Sequence, residues 1–339
     1  MNLRWQLTVL LVLILCFAFP VNAHVPVSVD GNYDIITALP VEKPTTSYVI
    51  YGDLHKAGEV AWYQFRMNPG ERLVISLMVS GYNTPIPDMI VMSPGVASSS
   101  EGLLKPVSVP QGYAAETIRG QPPYKAEYEP FTPAAVFEVA SYSKDITAPG
   151  LYYLAVVSPA DDTRYSIATG YAEEFTPSEW VLVPLNVIST HLWEGQSIIT
   201  ILTPFLAVVI LGFVVISRRE KRKGSHLTCS CWLATIAGLC YIGGAAITLV
   251  QLVRAIAVTG PFSSIALTLI FAIIPMALGI WALRMGRTPS KRTMKERAFL
   301  ALIAILGLIF WAGLVIGPLL AIGAAVIPDQ SKSFQTKIR

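Results

Sequence analysis

The sequence predicts an all-β extracytoplasmic sandwich joined to an α-helical membrane bundle of four transmembrane helices. Three observations carry that expectation. Of 339 residues, 53% are hydrophobic and only 14% are charged, too few charges to cover the surface of an ordinary water-soluble protein. The charges are also segregated: residues 24–197 hold nine Lys and Arg against nineteen Asp and Glu, while the rest of the chain holds sixteen basic residues against three acidic ones. Finally, four apolar runs long enough to cross a bilayer follow a stretch of short, turn-punctuated segments that lack helical periodicity.

The chain opens as an export leader. Arg4 precedes the apolar run 7–19, and Val21-Asn22-Ala23 offers a small-residue cleavage site, so residues 1–23 read as a signal peptide and His24 as the mature N-terminus. An uncleaved signal anchor is the alternative. Residues 24–175 then form the β domain, 176–197 a juxtamembrane linker, 198–327 the membrane domain and 328–339 a C-terminal tail. Cys16 falls in the leader and Cys229, Cys231 and Cys240 lie in or beside an apolar helix, so the exported domain has no thiol for a disulfide and must be held by packing.

The spans are 198–217, 228–253, 264–283 and 298–327. Arg218, Arg219, Lys221, Arg222 and Lys223 follow the first, and Arg284, Arg287, Lys291, Arg292, Lys295 and Arg297 fill the loop before the fourth. Only Arg254 marks the loop between the second and third. Basic loops stay in the cytoplasm, which places the β domain outside, in a multi-pass protein of the cell membrane. Four full crossings put the tail outside too, despite Lys332, Lys337 and Arg339. A re-entrant final segment would return it to the cytoplasm.

The spans carry no Asp, Glu, Lys, Arg or His near their centres, which disfavours transport or a proton relay and leaves a transporter component as a further alternative, and no histidine pair could hold a haem. Gln251 and Arg254 sit at a helix end, where snorkelling accounts for them. Gly313, Gly317, Ala321 and Ala325 recur every four residues on the last span, and Ser264, Thr268 and Ala272 on the third, allowing close helix approach. Those faces pack either within the chain or against a membrane-protein partner. The acidic exterior argues against nucleic acid, since nothing there could neutralise phosphates.

Within the β domain, strands are expected at 47–54, 60–67, 72–79, 89–92, 135–140, 151–157 and 165–171. Asn68-Pro69-Gly70-Glu71 and Ala148-Pro149-Gly150 supply turns between them. Seven such strands indicate an antiparallel sandwich. Residues 93–133 form a long Pro-rich excursion, and function often lives on such loops.

The run Gly58-Glu59-Val60-Ala61-Trp62-Tyr63-Gln64-Phe65 with Pro69-Gly70-Glu71-Arg72-Leu73 resembles the pre-peptidase C-terminal domain family. So does Ala148-Pro149-Gly150-Leu151-Tyr152-Tyr153-Leu154-Ala155-Val156, followed by Tyr165-Ser166-Ile167. The resemblance covers about residues 48–171 and departs where the family has Asp before its Tyr, here Ala61-Trp62. It implies a jelly-roll-like sandwich that binds or assists without catalysing, and it carries over no active residues.

No phosphate loop, nucleophile elbow or ordered Ser/His pair is present, so the expected class is a non-enzymatic surface protein that binds a ligand or partner, or an accessory subunit of a membrane complex. A different class is copper handling. An N-terminal His24 would present amine and imidazole together to Cu(II), with His55 or His191 as a second ligand, unless cleavage merely happens to fall there. Calcium ligands could come from Asp30, Asn32 and Asp34 or from Asp161-Asp162, although solvated turns use the same residues. Tyr113, Tyr124, Tyr128 and Phe131 in the excursion form either a ligand platform or a cap on the sandwich core.

Overall fold

A computed structural model of the chain describes residues 25–28, 31–95, 107–172, 176–224, 227–287 and 292–328. The predicted leader, His24, Asp30 and most of the tail lie outside them.

Eleven described strands form two sheets. One has the order β1 (Val25–Ser28), β3 (Tyr48–Leu54), β11 (Thr163–Thr169), β5 (Arg72–Val79), β9 (Ala134–Asp145), β8 (Glu127–Glu129). The other runs β2 (Leu39–Val41), β4 (Val60–Met67), β10 (Gly150–Val157), β6 (Asp88–Pro94), β7 (Tyr113–Ile118). All seven predicted strands are present. Pairing is antiparallel except for the short edge strands β1 and β2, which run parallel to β3 and β4. Register between β4 and β10 is unbroken from Val60↔Val157 to Met67↔Gly150, which sets the two motif-bearing segments side by side.

Alternation decides the core. Tyr63, Phe65 and Met67 of one sheet meet Leu73, Ile75, Leu77, Tyr165 and Ile167 of the other in one apolar cluster. At its centre the Tyr63 and Tyr165 hydroxyls lie 2.6 Å apart, and burial pushes the Tyr63 phenol up to about 12 and raises Tyr165 well above the ordinary range. The second sheet is apolar on its other face as well. There Val60, Trp62, Ile90, Met92 and Val157 pack with Ala38 and Val107, so Trp62 belongs to this second cluster, and its neighbour Ala61 to the first. Asn32 fixes that edge, its amide donating to the Trp62 carbonyl at 2.9 Å.

Six helices follow among the described residues: α1 (Pro177–Trp193), α2 (Ile198–Lys223), α3 (Cys229–Thr259), α4 (Ile265–Gly286), α5 (Met294–Ile309) and α6 (Ile316–Val326). The segment expected as a linker is thus largely the helix α1. Ser197 caps α2 by accepting from the Thr200 N–H, and Gly224 closes it in the left-handed region behind Lys221, Arg222 and Lys223, cations that suit a helix C-terminus. Three helices, α2, α3 and α4, are long and apolar enough to cross a membrane. Glycine lets α3 and α4 touch by backbone: a Cβ on Gly238 would lie 2.7 Å from the Gly279 carbonyl oxygen.

The fourth predicted span, 298–327, is not one helix. It divides into α5 and α6, of 16 and 11 residues, roughly 24 and 16 Å long at about 1.5 Å per residue, each short of a hydrocarbon core about 30 Å thick. Pro318 has no N–H to give the Leu314 carbonyl, and Trp311, Gly313, Leu314 and Val315 all take positive φ. Gly313 therefore lies in the turn and not on a helical face, while Gly317, Ala321 and Ala325 are buried along α6.

The halves fold back as a hairpin. Arg297 at the start of α5 donates to the carbonyls of Ala325, Val326 and Ile327 at 2.8, 3.4 and 3.1 Å, so the hairpin enters and leaves at one end of the bundle. Buried Arg292 ties that end together, reaching the carbonyls of Ala324 (3.2 Å), Ser230 (3.3 Å) and Met285 (3.4 Å). Arg297, and Arg292 at Ala324 and Met285, satisfy carbonyls of a helix's last turn, while the Ser230 carbonyl belongs to the first turn of α3. Tyr241 of α3 fills the hairpin's inner slot: a Cβ on Gly307, Gly313 or Gly317 would strike its ring or hydroxyl.

Candidate functional site

The β domain is seated on the end of the bundle opposite these arginines, and the contact runs through the turn after β8. Tyr128 donates its hydroxyl to Thr268 Oγ1 at 2.5 Å, and Thr268 donates to the Pro130 carbonyl at 2.6 Å. Each group has one proton to give, so the two bonds form a directed chain from domain to α4. Next to it the Phe131 ring lies 5.8 Å from Phe271 and 5.9 Å from Trp311 at the hairpin turn. Trp311 also stacks on Phe271 at 4.6 Å and meets Trp180 of α1 at 4.8 Å, and the Trp180 indole donates to the Ile309 carbonyl at 3.2 Å. The turn of the hairpin, non-helical backbone deep in the bundle, is thus roofed by aromatic rings from three separate elements.

Three cavities ring this junction. A groove of about 300 Å³ opens on the six-stranded sheet, bordered by Tyr51, Ser76, Ser166, Glu127, Glu129 and Glu138. A second, of about 330 Å³, lies between Tyr82, Phe137 and the Arg254 end of α3. The third, about 60 Å³, lies beneath Phe131 and is lined by Trp311, Phe271, Phe310, Thr248, Gln251 and His191. In the first groove Tyr51 also accepts from the Thr190 hydroxyl of α1 at 3.2 Å, and burial raises its phenol far above the ordinary range.

A polar network borders the third cavity. His191 Nδ1 is 2.8 Å from Glu194 Oε2, Gln196 donates to the same oxygen at 3.0 Å, and Gln196 and Gln251 exchange amide bonds of 3.0 and 2.9 Å. Gln251 is therefore not an interfacial side chain. It is buried, because the chain entering α2 brings it a matching amide, and a satisfied amide pair tolerates burial where a single one does not.

The four aromatics from the excursion do not form one platform. Tyr128 and Phe131 meet the helices, Tyr113 packs on Tyr153 at 5.5 Å on the other sheet, and Tyr124 is 98% exposed. Nearness in sequence had grouped them, yet β7 and β8 carry them to different sheets. That His191 and Trp311 share the third cavity, and that Glu138 borders the first groove, has no trace in the sequence, because no local spacing links these residues to what lies beside them. Of the candidate calcium residues, Asp34 accepts from the Ile36 N–H in its own turn, and Asp161 accepts from the distant Ala57 N–H at 2.8 Å. Among the described residues no three His, Cys, Asp or Glu gather in a metal-binding group, and His24 lies outside them.

No protein-family model and no curated protein matches the chain. Among solved structures it is similar to PliG of Aeromonas hydrophila, a periplasmic lysozyme inhibitor of g-type lysozyme. The identity is 13% over 44% of this chain and 98% of that chain, with a TM-score of 0.25.

Proposed function

We propose that this protein is a multi-pass cell-membrane protein whose extracytoplasmic β domain is a non-catalytic ligand- or partner-binding module working as an accessory subunit. The observation that carries the reading is the docked turn at Tyr128, Pro130 and Phe131. It seats the domain directly on α4 and the hairpin turn, so whatever fills the adjoining groove touches elements continuous with the bundle. The groove's border includes Glu127, Glu129 and Glu138 and no Lys or Arg, which favours a basic segment of a partner. A jelly-roll-like sandwich of the pre-peptidase C-terminal kind is the matching fold reading, supported by the side-by-side registry of its two motif segments.

Orientation follows from charge. The Arg292 and Arg297 end is the cytoplasmic one, the β domain lies outside, and the hairpin brings Ile327 back to the basic side. Lys332, Lys337 and Arg339 then obey the same rule as the other basic residues. In a cysteine-free background, a membrane-impermeant maleimide applied to intact cells is expected to label Asp162→Cys and to spare Ser331→Cys. Labelling of both would restore a fourth crossing.

The binding role is tested by a photo-crosslinking amino acid at Glu138 in cells. One discrete adduct is expected there and none from Tyr124, which stands away from the groove. Equal yields at the two positions would overturn the reading.

A further inference from the structure

Alternation along the strands gives the groove on the six-stranded sheet its inner surface. Tyr165, Ile167, Leu77 and Phe137 belong to the core, so Ser166, Ser76, Met78 and Glu138 face the opposite way, into the groove. Register aligns them: Tyr51, Ser166, Met78 and Glu138 stand opposite one another across the neighbouring strands β3, β11, β5 and β9. Hydroxyls therefore occupy one side of the groove and a carboxylate the other, over an apolar floor of Met78, Val74 and Ala168.

The hydroxyl side is unfinished. Ser166 is 1% exposed and lines the groove, and its hydroxyl makes no hydrogen bond among the described residues. Unlike the Thr169 hydroxyl on the same strand, which is sealed in, that of Ser166 opens to the groove. Tyr51 adds a second unmade bond, because its hydroxyl accepts from Thr190 while its own proton has no acceptor among the described residues. A ligand that seats here carries an acceptor.

The carboxylate side has a spacing. Glu127 stands directly opposite Val136, with Glu129 two residues along β8 and Glu138 two residues along β9 in the other direction. All three lie on one face at intervals of about 7 Å, since two residues of strand advance about 6.7 Å. Glu127 and Glu138 have no ion pair or hydrogen bond among the described residues, and Glu129 accepts from the Phe131 N–H at 3.2 Å. They do not converge on one point, as no three His, Cys, Asp or Glu among the described residues gather to hold a metal ion. The row suits positive charges in series and not a single ion.

We propose that the groove binds an extended segment of the partner with basic residues at alternate positions. In an extended chain, residues i, i+2 and i+4 point to one side at the same interval of about 6.7 Å, so three basic side chains meet Glu129, Glu127 and Glu138 in turn. Backbone carbonyls of the segment accept from Ser166 and Tyr51. A polyamine matches the charges but brings no acceptor for these hydroxyls. The inference rests on the partner-binding reading given above and adds the partner's sequence pattern.

The test is fluorescence polarisation on the full-length protein in dodecyl maltoside at about 0.15 M salt, where long-range attraction is screened. It compares two labelled peptides of identical composition, Ala-Arg-Ala-Arg-Ala-Arg-Ala and Ala-Ala-Arg-Arg-Arg-Ala-Ala. The alternating peptide is expected to bind about fivefold tighter, because consecutive arginines on an extended chain face opposite sides and forfeit an ion pair. Glu127→Gln and Glu138→Gln should each lower its affinity about fivefold, and Ser166→Ala by a similar factor. Both glutamates are exposed, and a thermal melt checks that their replacement leaves the fold intact. Equal affinity for the two peptides, including none for either, overturns the proposal, as does affinity unchanged in both glutamine variants. Displacement by spermidine as effective as that by the alternating peptide overturns it in favour of a polyamine. A discrete adduct from Glu138 in cells alongside equal peptide affinities removes the sequence pattern and keeps the partner. Peptide discrimination without an adduct keeps the pattern and removes the partner reading.

Discussion

Replacing Tyr241 with alanine should cost about 3–5 kcal/mol of stability, the range for emptying a large aromatic site in a packed interior. The ring is fully buried in a cluster with Ile303, Leu306 and Phe310, and its slot is edged by three glycines, Gly307, Gly313 and Gly317. Glycine has no side chain with which to close a void, so the cavity would stay open and the hairpin would lose its main contact with α3. Tyr241→Phe removes only the bond from the hydroxyl to the Ile303 carbonyl at 3.3 Å, and should cost about 1 kcal/mol. Unfolding in mild detergent, followed by protease sensitivity of the hairpin turn, measures both. Equal effects of the two substitutions would mean that the ring is not what the slot grips.

Arg292→Met carries the second large expectation. One guanidinium joins the carbonyl ends of α4 and α6 to the start of α3. Methionine keeps the apolar stem and supplies no donor. Removing the charged donor costs about 1–3 kcal/mol in all, because Ser230 Oγ still reaches the Ala324 carbonyl at 2.7 Å and the Arg287 N–H the Met285 carbonyl. A net loss of about 2 kcal/mol is expected, with Arg292→Lys intermediate because an ammonium lacks the planar fork. The check is thermal unfolding together with trypsin access to the Arg297 segment. A variant as stable as the parent would show that the carbonyls find other donors.

How far the sequence foretold this architecture depends on the kind of signal. The strands from Tyr48 to Thr169 were legible because alternation over seven or eight residues is a strong, local pattern. The edge strands β2 and β8 have three residues each, too few for any period, and β7 hid in a stretch punctuated by Gly112 and Gly120. Hydropathy failed at residues 298–327 for a different reason. One long helix and two short ones folded together bury the same apolar residues, so composition cannot separate them; the Gly313, Gly317 and Pro318 signal could have. Tyr128 and Phe131 were singled out for their chemistry, but what they touch is set by pairs more than a hundred residues apart, such as Tyr128 with Thr268. Gln251 was misjudged for the same reason, since its partner Gln196 lies 55 positions away.

The hairpin turn holds three side-chain-bearing residues, Trp311, Leu314 and Val315, in the left-handed region. Each costs on the order of 1 kcal/mol relative to ordinary backbone, so the turn is a poor structure by itself. Biosynthesis then acquires an order. The ribosome delivers α5 and α6 after α3 and α4, and neither short helix can cross the membrane unaided. They must wait until the groove beside Tyr241 exists to receive them, which makes insertion of this C-terminal element a late, template-dependent event instead of one more stitch through the lipid.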